Sequence, residues 1–289
     1  MKTSNYISSK AFAKINLSLK ILGKTPDHYH SIESIITFLP DIYDCVMIKK
    51  SQKYKINITG KFSKTLNIEG GDTLVKNLVF LFKEKFNIPY NFNIIIKKNI
   101  PIGAGLGGGS SDAAAIARLI IKMHKLKINK KEIINLLSTL GADIPACFFS
   151  YNQKVKGFGE KLTKLKLLNK KIWAVLIKPN INFDTKDIFN KFSKPFSKVS
   201  KNRYNYRNLI LDLNSVDNDL EEAAKLHSPV FNDLLKKIPR KGAITNPRMT
   251  GSGSTIFLLF SDKCDAEDYV NIIEKSNKRL WVQMSKVLL

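Results

Sequence analysis

From Lys14 onward the segment 11–21 alternates polar and apolar positions, with Lys14, Asn16, Ser18 and Lys20 set against Ile15, Leu17, Leu19 and Ile21. That period of two predicts a half-buried strand. Further strands are expected over 31–39, 44–50 and 54–59, followed by a helix over 73–86 that repeats Leu74, Leu78, Leu81 and Phe82 at helical spacing. Residues 92–96 read as a strand running through Lys97 and Lys98 into a glycine-rich loop. The apolar, alanine-rich stretch 113–121 predicts a helix, with Ser110 or Ser111 as its natural N-cap. Asn129 and Glu132 have the spacing of a capping box before a helix over 133–140, and Gly141 stands where a helix C′ glycine belongs.

Beyond about residue 150 the pattern predicts strands over 153–160 and 172–178 and a basic, irregular stretch over 186–208. A helix over 217–237, a second glycine turn over 248–254 and a buried strand over 255–260 follow, then a helix over 265–276 and a last strand over 280–287. Helices and strands mix in both halves without an internal repeat, which indicates an α+β protein. A boundary in the 150–165 region divides it into 1–155 and 156–289.

Composition narrows the class. With 289 residues and 44% hydrophobic content the chain can bury proper cores. No apolar run approaches the ~18 residues of a membrane span, and the start lacks the apolar centre of a signal peptide. Cys45, Cys147 and Cys264 are odd in number and widely spaced. They are expected as free thiols in a reducing cytoplasm, with no structural zinc site. A net charge of +24 raises the question of nucleic acid. The densest stretch, 186–207, interleaves Lys186, Lys191, Lys194, Lys198, Lys201, Arg203 and Arg207 with Phe192, Phe196, Tyr204 and Tyr206. It reads either as an RNA-contacting strip or as a basic connection carrying core aromatics. No RNA- or DNA-binding motif accompanies it, so no nucleic-acid partner and no membrane partner is expected.

The loop from Pro101 to Asp112 carries glycines at 103, 105, 107, 108 and 109, then Ser110 and Ser111. Free backbone N–H groups feeding a helix N-terminus suit a phosphate. A P-loop would need Gly-Lys-Ser/Thr, but Gly109 is followed directly by Ser110. A dinucleotide site would need an acid about 20 residues on, at the end of the next strand; the region offers Lys125, Lys127, Lys130 and Lys131. The companion motifs of a protein kinase are missing. Residue types and spacing therefore lead to a nucleotide-dependent phosphotransferase.

Four separated segments now agree: Ala13-Lys14-Ile15-Asn16-Leu17, 101–114, Leu140-Gly141-Ala142-Asp143-Ile144-Pro145 and Met249-Thr250-Gly251-Ser252-Gly253. In order and spacing, over essentially the full length, the chain resembles the GHMP small-molecule kinases. The resemblance implies a two-domain GHMP fold, with an N-terminal ATP-binding domain like domain 2 of ribosomal protein S5 and a C-terminal ferredoxin-like α+β domain that binds substrate. It also implies ATP and Mg²⁺ as cofactors, a cytidine diphosphate small molecule as the partner, and a monomer or weak homodimer in the cytoplasm. Metal ligands are left unassigned. Another GHMP specificity, or a basic RNA-binding protein on a kinase-like fold, stays open.

By that resemblance Asp143 accepts the proton of the attacking hydroxyl, and Lys14 offsets developing negative charge. Asp-Ile-Pro is equally a good helix start, so Asp143 as an N-cap stays open. Lys14 could also be a solvated position on an alternating strand. Pro101, Gly103, Ala104, Gly105, Leu106, Gly107, Gly108, Gly109, Ser110 and Ser111 would cradle the ATP phosphates, with Leu74 and Lys98 at the nucleoside. Asn16, Tyr29, His30, Thr185 and Phe189 would hold the cytidine end, Tyr29 and Phe189 sandwiching the base, with Gly251 and Gly253 on the substrate side. Asp112 is expected to face away from the phosphates or to sit near Mg²⁺ through water. Phe12 and His28 depart from the proline and glycine common at those places, and His28 restricts the turn that aims Tyr29 and His30.

Overall fold

The computed structural model describes residues 6–26, 29–64, 73–165, 171–199 and 217–288. His28, Lys201, Arg203, Tyr204, Tyr206 and Arg207 lie outside the described residues. The chain forms two compact units that interleave in sequence. One gathers Met1–Ala13, Tyr43–Ile102 and Gly107–Ser150; the other gathers Lys14–Ile42, Gly103–Leu106 and Tyr151–Leu289. Strands β1 (Ile7–Lys24) and β2 (His30–Ser51) give residues to both. The division into 1–155 and 156–289 is kept as a proposal about family domains, because packing groups the residues in another way.

In the first unit the later half of β2 pairs antiparallel with β4 (Asn91–Lys97), and β4 pairs parallel with β3 (Lys55–Thr59). The alternation seen in the sequence sends Val46, Ile48, Phe92, Ile94 and Ile96 fully inside. Helix α1 (Thr73–Lys85) buries Val75, Leu78, Val79 and Phe82 and packs on α2 (Gly108–His124). Small side chains at Ala113, Ala114, Ala115 and Ala117 let α2 approach its neighbours closely. It also packs on α4 (Ile144–Phe149), which follows α3 (Lys130–Ser138).

In the second unit the first half of β2 pairs with β5 (Gln153–Gly157), and β5 with β6 (Lys161–Lys164). A separate antiparallel sheet runs in the order β10 (Trp281–Leu288), β7 (Lys171–Lys178), β9 (Ile256–Phe260) and β8 (Arg248–Met249). Helices α5 (Thr185–Asn190), α6 (Leu220–His227), α7 (Pro229–Lys237) and α8 (Lys263–Ser276) belong to the same unit. Val175, Ile177, Phe231, Leu258, Phe260 and Tyr269 form the centre of its core. The α+β class holds.

Several local expectations are corrected. The strands expected over 31–39 and 44–50 are one strand, since Pro40 needs only an extended φ and gives up one donor. The helix expected over 217–237 is two helices: Ser228 is extended, caps the N–H of Phe231, and Pro229 opens the second. Helix α2 begins at Gly108, with Gly107 at the N-cap in a left-handed conformation and no side-chain cap. Ser110 and Ser111 therefore lie within the helix, and Ser111 Oγ donates to Phe12 O. Gly141 is no left-handed cap, because α3 ends at Ser138 with Thr139 in the right-handed region. Asn129 does cap α3, accepting from the N–H of Glu132.

Candidate active site

Lys14 sits on β1 at a position the alternation alone would leave half-solvated, yet it is 4% exposed. Its Nζ donates to Asn16 Oδ1 at 2.6 Å. Asn16 is held in turn: its Nδ2 donates to Ser34 Oγ at 2.8 Å, and its N–H donates to Thr250 Oγ1 at 2.9 Å. The backbone N–H of Lys14 donates to Leu106 O at 2.9 Å, which fastens β1 to the first half of the glycine loop. The second unit thus brings Lys14 and Asn16 together, and Gly251 joins them. A Cβ on Gly251 would stand 3.2 Å from Lys14 Nζ and 3.3 Å from Asn16 Oδ1.

Two glycines of this corner have no substitute. Gly105 has φ +70°, and a Cβ there would strike Thr250 O and come within 2.8 Å of Gly253 O. Gly253, at φ +89°, has Phe183 and the Met249 sulfur where its Cβ would go. Only glycine takes such dihedrals without penalty. Ala104 O accepts a bond from Thr255 N, so the glycine loop is stitched to the chain just after the Met249–Gly253 turn. Pro101, Ala104 and Leu106 are buried, while Gly107 and Gly108 are half-buried, Gly109 is exposed and Ser110 is half-buried.

Residues for which the sequence reading found no role complete this corner. Asn218 Nδ2 donates to both Met249 O (2.9 Å) and Gly251 O (2.8 Å), and Glu221 accepts from Met249 N. Asp219 accepts from Ile21 N and Ser197 Oγ. An Asn-Asp-Leu-Glu run opening a helix was the available signal.

In the first unit, Lys98 Nζ lies 2.5 Å from Asp44 Oδ2 and 2.5 Å from Asp112 Oδ2, all three residues being buried. Burial by itself would lower the Lys98 ammonium, but the carboxylates of Asp112 and Asp44 outweigh it and hold the pKa above the usual lysine value. Asp44 also accepts from the N–H of Asn99 and of Ile100. Lys98, expected at the nucleoside, has its ammonium committed to the carboxylates of Asp44 and Asp112. Asp112 Oδ2 accepts from Lys98, which supplies the counter-charge that a buried carboxylate needs. Leu74 is half-buried in the first turn of α1.

Asp143 precedes α4 and is half-buried; its side chain makes no capping hydrogen bond to that helix. Asp143 thus stands at the N-cap position with Pro145 in the first turn, as the helix-start reading has it, but its carboxylate is not spent on capping. Cys147 is buried in the same helix. The phosphoryl-transfer chemistry of ATP employs a divalent cation, and no group of three His, Cys, Asp or Glu able to hold one occurs among the described residues. With Asp112 and Asp44 turned to Lys98, the protein's carboxylates at the loop do not fit a metal cage.

The aromatic residues group around His30. Its ring lies 5.1 Å from Phe189 and 6.2 Å from Phe192. Burial, then the nearby Lys24, hold the His30 pKa below its ordinary value, keeping the ring neutral. Tyr29 is largely exposed and meets Phe158 edge-on at 6.2 Å. Phe189 thus packs on His30, and Tyr29 has Phe158 rather than Phe189 as its ring neighbour. Thr185 Oγ1 lies 3.0 Å from Ser252 Oγ, which ties α5 to the Met249–Gly253 turn. Within the basic stretch, Phe192 stacks on Phe196. No helix among the described residues is long and apolar enough to cross a membrane.

Residues 73–151 match the GHMP kinases N terminal domain, and 199–278 match the GHMP kinases C terminal domain. A 4-diphosphocytidyl-2-C-methyl-D-erythritol kinase of Clostridium tetani is 36% identical over 281 residues, 94% of this chain and 98% of the relative. The kinase of the same description from Clostridium botulinum is 34% identical over 269 residues, 89% of this chain and 92% of that one. A crystal structure of 4-(cytidine 5'-diphospho)-2C-methyl-D-erythritol kinase superposes with a TM-score of 0.77 at 23% identity, covering 98% of this chain and 100% of that one. Homoserine kinase from Cytophaga hutchinsonii follows at 0.75 and 18%, covering 100% and 96%; at such identities the likeness is one of fold. Both GHMP domains are present, and identity above 30% extends over nearly the whole of each curated relative, so the chain belongs to the 4-diphosphocytidyl-2-C-methyl-D-erythritol kinase family of the GHMP kinases.

Proposed function

We propose that this chain transfers the γ-phosphoryl group of ATP to the 2-hydroxyl of 4-diphosphocytidyl-2-C-methyl-D-erythritol. The observation that carries the reading is the buried Lys14 ammonium on Asn16, with Gly251 against both and with Gly105 and Gly253 nearby in turns that leave no room for a Cβ. A cation fixed beside backbone shaped for close approach suits a phosphoryl group.

The substrate oxygen attacks the γ-phosphorus while the bond from that phosphorus to the β,γ-bridging oxygen breaks, and ADP leaves. Asp143 takes the hydroxyl proton. A carboxylate is a far weaker base than the alkoxide it would generate, so the proton moves late, as the new P–O bond forms. Lys14 offsets the negative charge on the transferred group, and the N–H groups of 103–111 cradle the phosphates. Neutral His30 and Phe189 recognise the cytosine, with Tyr29, Asn16 and Thr185 completing the cytidine end and Gly251 and Gly253 framing it. Mg²⁺ would come on the ATP phosphates, and no protein ligand is assigned to it. A cytoplasmic monomer or weak homodimer acting on this small molecule belongs to the same reading.

The test is ADP release with the cytidine compound, beside homoserine and mevalonate as competitors. Turnover with the cytidine compound alone is expected. Turnover only with another alcohol would reassign the substrate.

A further inference from the structure

Lys178 ends β7 and is 5% exposed. Its Nζ donates to Pro179 O (2.8 Å), Ile181 O (2.6 Å) and Asn182 Oδ1 (3.0 Å). An ammonium has three N–H donors, and here all three meet neutral acceptors. No carboxylate pairs with it among the described residues. Across the sheet its register partner on β10 is Trp281, and its neighbour Ile177 faces Ile256 on β9, so neither strand offers a charge there. The nearest acid along the chain, Asp184, accepts from the N–H of Lys186 to cap α5.

The segment that Lys178 ties down touches both glycine turns. Asn182 Cβ lies 3.1 Å from where a Cβ of Gly103 would stand, and Phe183 fills the space beside Gly253. Ser254 Oγ donates to the same Ile181 carbonyl that Lys178 holds, and Thr185 Oγ1 meets Ser252 Oγ. Residues 181–185 therefore brace Gly103 on one side and 252–254 on the other.

We propose that Lys178 is a positioning residue of the kinase, its ammonium folding 179–182 into a brace that keeps the Gly103 and Gly253 turns in their phosphate-binding shape. The three-acceptor geometry needs the charged form. A neutral amine has two N–H donors and a lone pair, so one acceptor is released and faces that lone pair. Burial without a counter-charge lowers the Lys178 pKa to about 8, which brings this loss into the mildly alkaline range. The inference deepens the phosphoryl-transfer reading and rests on it.

The experiment compares the wild-type chain with Lys178→Met and Lys178→Arg. It reads the affinity for a non-hydrolysable ATP analogue with Mg²⁺ from pH 6.5 to about 9.5, and the ¹³Cε resonance of Lys178, identified by its loss in either variant. In the wild type the resonance is expected to titrate near pH 8. Over the same range affinity should fall about tenfold, the worth of one charge-assisted hydrogen bond. Lys178→Met should be weak by about the same factor at pH 7 and flat with pH, and Lys178→Arg, which stays charged, should also be flat. A resonance titrating near the ordinary lysine value of about 10.4 overturns the proposal. So does a Lys178→Met protein with wild-type affinity at pH 7 or with an unchanged alkaline fall. Should a variant fail to fold, the wild-type titration and the other variant still decide. Absence of wild-type turnover with the cytidine compound would instead count against the substrate assignment, since neither readout uses that compound.

Discussion

Replacing Lys98 with methionine removes one charge and strands two. Methionine follows the path of the aliphatic stem, so packing is nearly kept. What goes are two charge-assisted hydrogen bonds, at 2.5 Å to Asp44 and 2.5 Å to Asp112. Asp44 keeps the N–H groups of Asn99 and Ile100, but two buried carboxylates then share one site. Deleting a partner from a buried ion pair costs about 3–5 kcal/mol, and like charges press this case toward the upper figure. A native protein has about 5–15 kcal/mol in total, so the variant should be severely weakened. Urea unfolding at pH 7 and pH 5 measures it. The loss should shrink at pH 5, where one carboxyl can take a proton, and adding Asp112→Asn should restore most of it at pH 7. A loss below about 1 kcal/mol, the worth of an exposed pair, or no rescue by the second change, would refute the reasoning. In the wild type the folded Lys98 pKa lies above the unfolded one. Its contribution is therefore complete below about pH 10.4 and is lost only as pH rises through the higher folded value.

Asp143→Asn should leave ATP binding intact and lower turnover at least about a hundredfold, the scale of general-base assistance; stopped-flow and steady-state rates check this. Gly105→Ala should raise the KM for ATP and cost about 1–3 kcal/mol in unfolding, since φ +70° and two carbonyls oppose the methyl group. Asn218→Ala strands the Met249 and Gly251 carbonyls and should cost about 1–3 kcal/mol, seen as a lower denaturant midpoint. Phe189→Ala should weaken the cytidine substrate by about 1–3 kcal/mol while the KM for ATP is unchanged. Because the His30 pKa is depressed, acid weakening of that substrate should set in only below about pH 6.5, the ordinary histidine value.

Periodicity made most elements legible, because burial on one face writes itself into every second or every third-to-fourth residue. The 11–21 alternation and the leucines of 73–86 are examples, matching β1 and α1. Ends were harder to read. Gly107 caps α2 through its left-handed backbone, whereas a serine advertises a cap by its side chain, so the start was read too far along. The four motifs were visible as words, and Lys14, Asn16 and Gly251 do come together in one unit. What the words could not carry is partner choice. Asp44 lies 54 positions from Lys98, so neither the ion triad nor the turn of Asp112 toward it could be read from local pattern. The same holds for Asn218, whose two acceptors lie 31 and 33 residues away.

The hydrogen bond from Asn16 to Thr250 spans 234 positions. A ribosome adding roughly 5–20 residues per second leaves the surroundings of Lys14 incomplete for tens of seconds after that lysine has been made. Polypeptides that stop before Thr250 would thus carry a full glycine loop but no finished phosphate corner. Activity waits on the arrival of Thr250 at this corner, so products terminated before it should be catalytically silent without any dedicated inhibitor.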